Sequence, residues 1–340
     1  MTDQDELDER KASILRAIVE EYVETAQPVG SQTVARSSGL GVSSATIRND
    51  MTVLEREGFI VQPHTSAGRV PTDRGYRFFV DNFTSQGPLP ASQHRAVADF
   101  FATTHRALED LLNETSQLLS RVSKHAAMVV GPPPDQAEIR TVQLVRLHEQ
   151  TVLLVVVLSN GAIERHVLNL EVDVDDARLT AAAARLDADF AGRAWGAVPD
   201  PVTTNDPNVD AIVAEARAAV LELGTPEHRE LLYLGGVSKL AAEQEAFSTA
   251  ESAARLLEML EHQVIVVSLV HELLEAGLTV RIGAENQVDE LRECALVLAP
   301  YSVDGQAAGI VGVLGPTRMN YRHALAAVSA VSQQLGRHLS

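Results

Sequence analysis

Residues 43 to 56 read SSATIRNDMTVLER. Wound as a helix, this stretch gathers Ile47, Met51, Leu54 and the capping residue Ser43 on one face, which must be the core side. The opposite face carries Ala45, Asn49, Thr52 and Arg56, flanked by Ser44 and Arg48. These residue types suit the edges of base pairs. Asparagine pairs bidentately with adenine, arginine with guanine or a phosphate, and the methyls of alanine and threonine meet the thymine methyl. Ser44, Thr46 and the unpaired N–H groups of the first turn can hold a phosphate. An α-helix fits the major groove of B-DNA with its N-terminal half against the bases. Any amphipathic surface helix could show such a pattern, so the neighbouring elements decide what it means.

Gly58 ends the helix at the C′ position. Phe59 to Gln62 and Gly68 to Val70 then read as two short strands around Pro63-His64-Thr65-Ser66-Ala67. His64, Thr65 and Ser66 at the tip, with Arg69 at the edge, supply donors for phosphates or the minor groove. Arg74 and Arg77 are further candidates for facing DNA, whereas Tyr76, Phe78 and Phe79 are expected to pack. Upstream lie a helix over Leu7 to Thr25, a stop at Gln27-Pro28-Val29-Gly30, a short helix from Ser31 to Ser37 and a turn at Gly39-Leu40-Gly41. Helix, short helix, turn, helix and hairpin is the order of a winged helix-turn-helix.

Beyond a Ser/Gly/Pro linker at residues 85–90, a helical stretch over 91–124 carries a long apolar stripe from Val97 to Val122. Strands are expected at Ala127–Val130, Thr141–Leu147, Thr151–Leu158 and Ile163–Leu170. Ala-rich helices follow (Asp176–Phe190, Val209–Leu223, Ser252–Glu261). The β-texture resumes at Val264–Val270, Thr279–Ile282, Ala295–Ala299 and Ala308–Leu314, before a final helix to Leu335. The economical reading is one α/β domain interrupted by a mainly helical insertion. Its parts are a DNA-binding domain over 1–84, an α/β domain over 85–170 and 264–340, and an inserted domain over 171–263.

Composition narrows the function. The chain has 340 residues, of which 45% are hydrophobic, enough for two or three packed units. A net charge of −18 argues against nonspecific coating of nucleic acid. Residues 36–80 nevertheless hold six arginines against Asp50, Glu55, Glu57 and Asp73, so one modestly basic face sits in an acidic protein. With Cys294 as the lone cysteine, no internal disulfide can form, which suits a reducing cytoplasm. The longest apolar run, 151–158, is too short to span a bilayer, and the acidic N-terminus does not read as a secretory signal. The histidines are dispersed, and His271-Glu272-Leu-Leu-Glu275 lacks the second histidine of a zinc helix. Gly309, Gly312 and Gly315 match neither phosphate-loop fingerprint. No nucleophile–base set stands out, so neither catalytic residues, metal nor cofactor are expected.

Residues 28–35 (PVGSQTVA), 43–81 (SSATIRNDMTVLEREGFIVQPHTSAGRVPTDRGYRFFVD), 282–286 (IGAEN) and 309–321 (GIVGVLGPTRMNY) resemble the heat-inducible transcription repressor HrcA family. The resemblance implies an α+β multidomain fold: an N-terminal winged helix-turn-helix and a GAF-like α/β domain interrupted by a dimerising insertion. It also implies a homodimer on an inverted-repeat operator, CIRCE, negative control of groE and dnaK operons, loss of activity on heat shock, and the GroE chaperonin as a partner that keeps the repressor active. The S-x-A-T-I-R core alone also resembles DeoR-type regulators. A metabolite-responsive repressor of DeoR or IclR type is therefore the alternative.

Overall fold

The structure, a computed structural model, describes residues 7–64, 67–84, 87–104, 108–132, 137–159, 161–170, 174–197, 206–224, 232–242, 247, 249–261, 277–303 and 305–340. The chain is α+β. It begins with helix α1 (Glu9–Thr25), capped by Asp8, whose carboxylate accepts from the Lys11 N–H at 2.8 Å. Its apolar spacing buries Ile14, Leu15, Ile18 and Val19. Helices α2 (Ser31–Ser37) and α3 (Ser44–Arg56) follow, then a hairpin of β1 (Ile60–Val61) and β2 (Val70–Pro71). A fourth helix, α4 (Asp73–Phe83), had no counterpart among the expected elements. It is capped by Thr72 and packs Tyr76, Phe79 and Val80 into the same core as α1 and α3.

Helices α5 (Ala91–Thr103) and α6 (Leu108–Ser123) lead to a five-stranded antiparallel sheet. Its strands are β3 (Ala126–Val130), β7 (Leu232–Gly235), β8 (Thr279–Ile282), β9 (Cys294–Val303) and β10 (Gln306–Pro316), in the order β7-β3-β10-β9-β8. Alternate side chains go to opposite faces. Ala127, Val129, Val297 and Val311 join the core shared with α6 and the last helix. Met128, Leu296, Leu298 and Ile310 face a second cluster with residues of α9 (Ser238–Ala242) and α10 (Ala250–Glu261). Covering on both faces explains why these strands read as unbroken apolar runs. The last helix, α11 (Tyr321–Leu339), lies across β9 and is capped by Asn320.

The other sheet carries a correction. Strands β4 (Ile139–Arg146), β5 (Thr151–Leu158) and β6 (Ile163–Asn169) form a separate antiparallel sheet, covered by α7 (Asp176–Phe190) and α8 (Pro207–Leu223). The expected boundary at 171 placed these strands with the C-terminal ones. Instead they share no sheet with them, and β7, inside the expected 171–263 insertion, pairs with β3. The alternating burial of β5 is the physical difference: Val152, Leu154, Val156 and Leu158 are buried, while their neighbours stay half open. The expected single helix over 91–124 is also broken, because Thr104 is extended at φ −87°, ψ 120°. The expected strand 264–270 and the His271–Glu275 stretch lie outside the described residues.

His125 sits between α6 and β3 with its ring against Gly315. Burial pushes it down to about 4, with the charges of His323 and Lys239 adding to the effect. An unfolded histidine takes up its proton near 6.5. Between those values the unfolded state binds more protons, so stability should fall as the pH drops through this window, by up to about 3 kcal/mol. Urea unfolding from pH 7 to 4 checks this: His125→Gln should flatten the slope, and an unaltered slope would contradict it.

Candidate nucleic-acid interface

Helix α3 is fixed at both ends. The Ser43 hydroxyl oxygen accepts from the Thr46 N–H at 3.2 Å and lies 3.0 Å from the Thr46 hydroxyl, so these two residues are engaged with each other. At the other end Gly58 takes φ +81°, the left-handed conformation that suits glycine. Ile47, Met51 and Leu54 are buried, as the wheel requires. So is Asp50, one of the four acids that offset the arginines of this region. It accepts a two-pronged contact from Arg10 of α1, at 2.8 and 3.0 Å, and this ties the inner face of α3 to α1.

The outer face is bare. Ala45, Arg48, Asn49, Thr52 and Arg56 are exposed, and Ser44 is half-buried at the first turn. The Thr52 hydroxyl donates to the Arg48 carbonyl at 3.0 Å. Arg48 and Arg56 have no carboxylate partner among the described residues. Arg36, in the last turn of the exposed end of α2, adds a third such cation.

The hairpin divides the remaining candidates. Pro63 and His64 are exposed at its tip, where the Ala67 N–H donates to the His64 carbonyl at 2.9 Å. Thr65 and Ser66 lie outside the described residues. At the base, Val29 and Arg69 exchange backbone hydrogen bonds of 2.8 and 2.9 Å. A Cβ on Gly68 would come within 2.5 Å of the Val29 carbonyl, which explains the glycine. Arg69 is not the free edge cation expected of it. Its guanidinium binds Glu55 of α3 at 2.9–3.0 Å with only 19% of the side chain exposed. Arg74 donates to the Glu57 carbonyl at 2.7 Å and stacks over Phe59. Arg77 turns away toward Glu285. In each case the partner is distant in sequence or is a backbone group, so spacing gave no signal. Cys294 is buried, and burial pushes its thiol up to about 12. Among the described residues no cluster of His, Cys, Asp or Glu could hold a metal, and no helix is long and apolar enough to cross a membrane.

A family model described as "HrcA protein C terminal domain" matches residues 109–325. The heat-inducible transcription repressor HrcA of Nocardia farcinica is 38% identical over 338 residues, covering 98% of this chain and 97% of the relative. That of Acidothermus cellulolyticus is 40% identical over 339 residues, covering 98% and 99%. A crystal structure of a hypothetical protein superposes with a TM-score of 0.67 at 25% identity, covering 98% of this chain and 97% of that one. The α+β fold and these similarities define a transcription regulator, not an enzyme. The chain belongs to the HrcA family of heat-inducible transcription repressors.

The Arg10–Asp50 pair is asymmetric, with side-chain exposures of 49% and 9%. Arg10→Met leaves a buried carboxylate unpaired, whereas Asp50→Ala lets the arginine swing into water. Arg10→Met should therefore lower the melting temperature more than Asp50→Ala does. Calorimetry of the two variants would show the reverse order if Asp50 had another route to solvent.

Proposed function

We propose that the chain acts as a homodimer that reads the inverted-repeat CIRCE operator with one winged helix-turn-helix per subunit. The carrying observation is the division of α3: a buried stripe of Ile47, Met51 and Leu54 faces inward, and Ala45, Arg48, Asn49, Thr52 and Arg56 face outward. Arg48 and Asn49 are assigned to base edges, and Ser44 and Arg56 to the backbone of the duplex. His64, Thr65 and Ser66 are assigned to phosphates or the minor groove. Ser43 and Thr46 shape the helix start, and Arg69 braces the wing from within.

The five-stranded sheet with α6 and α11 is assigned as the GAF-like domain. The β4–β6 sheet with α7 and α8 is assigned as the dimerising insertion, with its start moved back to about residue 137. Support for the second copy comes from the sheet's uncovered face, where Val145, Leu147 and Val167 are each 46–49% exposed. In the register, Val145 and Val167 flank Leu153 in one apolar row. A two-fold dimer demands an operator of matching symmetry. Bound protein at a promoter blocks transcription of the groE and dnaK operons. Heat releases it because folded repressors are stable by only a narrow margin. Refolding by the GroE chaperonin in the cytoplasm then couples spare chaperone capacity to repression.

Mobility-shift titration of the full chain on a CIRCE duplex tests the assignment. Arg48→Ala and Asn49→Ala should each weaken binding by about 1–3 kcal/mol and relax preference at one base position. Arg56→Ala should weaken all sequences alike and lower the salt slope by about 1. Unchanged affinity in both Arg48→Ala and Asn49→Ala would remove α3 as the reader.

A further inference from the structure

The segments 71–81 and 282–286 stand far apart in the chain, and neither is absorbed by the DNA-reading face. They meet at one junction. Arg77 of α4 donates through Nε to Glu285 Oε1 at 2.9 Å and through Nη2 to Glu285 Oε2 at 2.6 Å. The same Nη2 donates to the Val280 carbonyl of β8 at 2.5 Å. Nη1 reaches Asp81 at 3.2 Å, which holds the guanidinium plane from its own helix. Glu285 is held in turn, since its Oε2 accepts from the Ile282 N–H at 2.9 Å.

One helical turn before Arg77, Asp73 Oδ2 accepts from the Ala284 N–H at 3.1 Å. Residues 73 and 77 project from one side of α4. One accepts from the 283–286 turn and the other donates to it, so the polarity admits a single register. Gly283 makes room for this: it takes φ +54°, and a Cβ there would collide with the Asp73 carboxylate. On the other flank, Arg322 of α11 donates to the Phe83 carbonyl at 3.1 Å, and the Tyr76 and Tyr321 rings sit 5.8 Å apart. Two anchors a turn apart, with a third on another side, fix rotation as well as position.

We propose that Arg77 and Asp73 are positioning residues for operator recognition, which set the angle at which the five-stranded sheet carries α3 and thereby the half-site spacing the protein accepts. This rests on the dimeric reading above. Helix α4 shares a core with α1 and α3, so a rotation at the junction moves the reading helix as a body. Neither Asp73 nor Arg77 belongs to the outward face of α3. Loss of the anchor leaves each reader intact but lets its angle wander. A dimer then binds a repeat of the correct spacing less well and an incorrect one less badly.

The test uses the full chain and three kinds of duplex: a single half-site, the inverted repeat, and repeats with the spacer lengthened or shortened by two base pairs. Wild type should prefer one spacing by about tenfold or more. Arg77→Met should reduce that preference to about threefold or less, with single half-site affinity within about twofold of wild type. Glu285→Gln, which keeps an acceptor for the Ile282 N–H, should show the same loss more mildly. If Arg77→Met retains the full preference, or weakens every duplex by one common factor, Arg77 is a stabilising residue and the proposal fails. A wild type indifferent to spacing also overturns it while leaving the dimeric reading intact. A wild type that binds no inverted repeat brings down that reading, and this proposal with it.

Discussion

Helix α3 has to be half buried and half bare, and the N-terminal architecture follows from that constraint. A helix held by one face has little to grip with: here Ile47, Met51, Leu54 and the Asp50 carboxylate. Each is met by a specific neighbour. Asp50 finds Arg10 on α1, while the apolar three share a core with Ile14, Ile18, Tyr76 and Phe79. The hairpin cannot hang free either, because two residue pairs are too few to hold two strands together. It is bound at its base to Val29 across Gly68, and from the side to Glu55 through Arg69. What remains outward is a narrow strip of α3 and the hairpin tip.

The rest of the chain supplies stiffness at a distance from that strip. A sheet buried on both faces cannot twist without disturbing two cores at once. Here α6 and α11 fill one side, while Leu240, Leu256 and Leu260 of α9 and α10 fill the other. The turn that receives Asp73 and Arg77 joins β8 to the strand following it in that sheet. It is locked from beneath by Asn286, whose side-chain nitrogen shares its two N–H groups among the carbonyls of Gly283, Leu291 and Cys294 at 3.0–3.1 Å. Removing this buried side chain would leave those carbonyls without their donor, a costly loss. The turn is therefore a firm seat and not a pliable loop.

Much of this was legible in the sequence, for physical reasons that particular residues show. Ser43 and Gly58 bracket α3 because capping chemistry is local, and Asp176–Phe190 is legible from its Ala-rich texture, with Asp175 found as its cap in the fold. The break at Thr104 was hidden because the apolar stripe of Val97 and Phe101 resumes at Leu108 and Leu111 on the far side. The two sheets were merged because strand character does not say which strands pair. No local signal separated them: the sequence of β5 is as apolar as those of β9 and β10, and only the fold leaves one of its faces half open. The arginines were the hardest. Arg77 and Glu285 are separated by 208 positions, and nothing local marks them as partners. The sequence therefore showed six arginines near the reader without showing which of them the fold consumes.

That consumption changes the electrostatic argument. Arg69, Arg74 and Arg77 are engaged by Glu55, the Glu57 carbonyl with Phe59, and Glu285. Arg36, Arg48 and Arg56 are left with no carboxylate partner among the described residues, on a chain of net charge −18. Each phosphate neutralised adds only about 0.9 to the salt slope, so three cations give a weak, sequence-independent hold, and the surrounding negative field opposes it further. A single reader of this kind gains little from the phosphate backbone. On the proposed reading, tight binding comes from base contacts made by few side chains and from a second reader held at a fixed separation, where the first contact makes the second nearly intramolecular. The scarcity of free positive charge is thus the physical reason why, on the proposed reading, both subunits and a rigid mounting for each are needed. On the same reading, it lets an acidic protein select one operator and stay clear of other DNA.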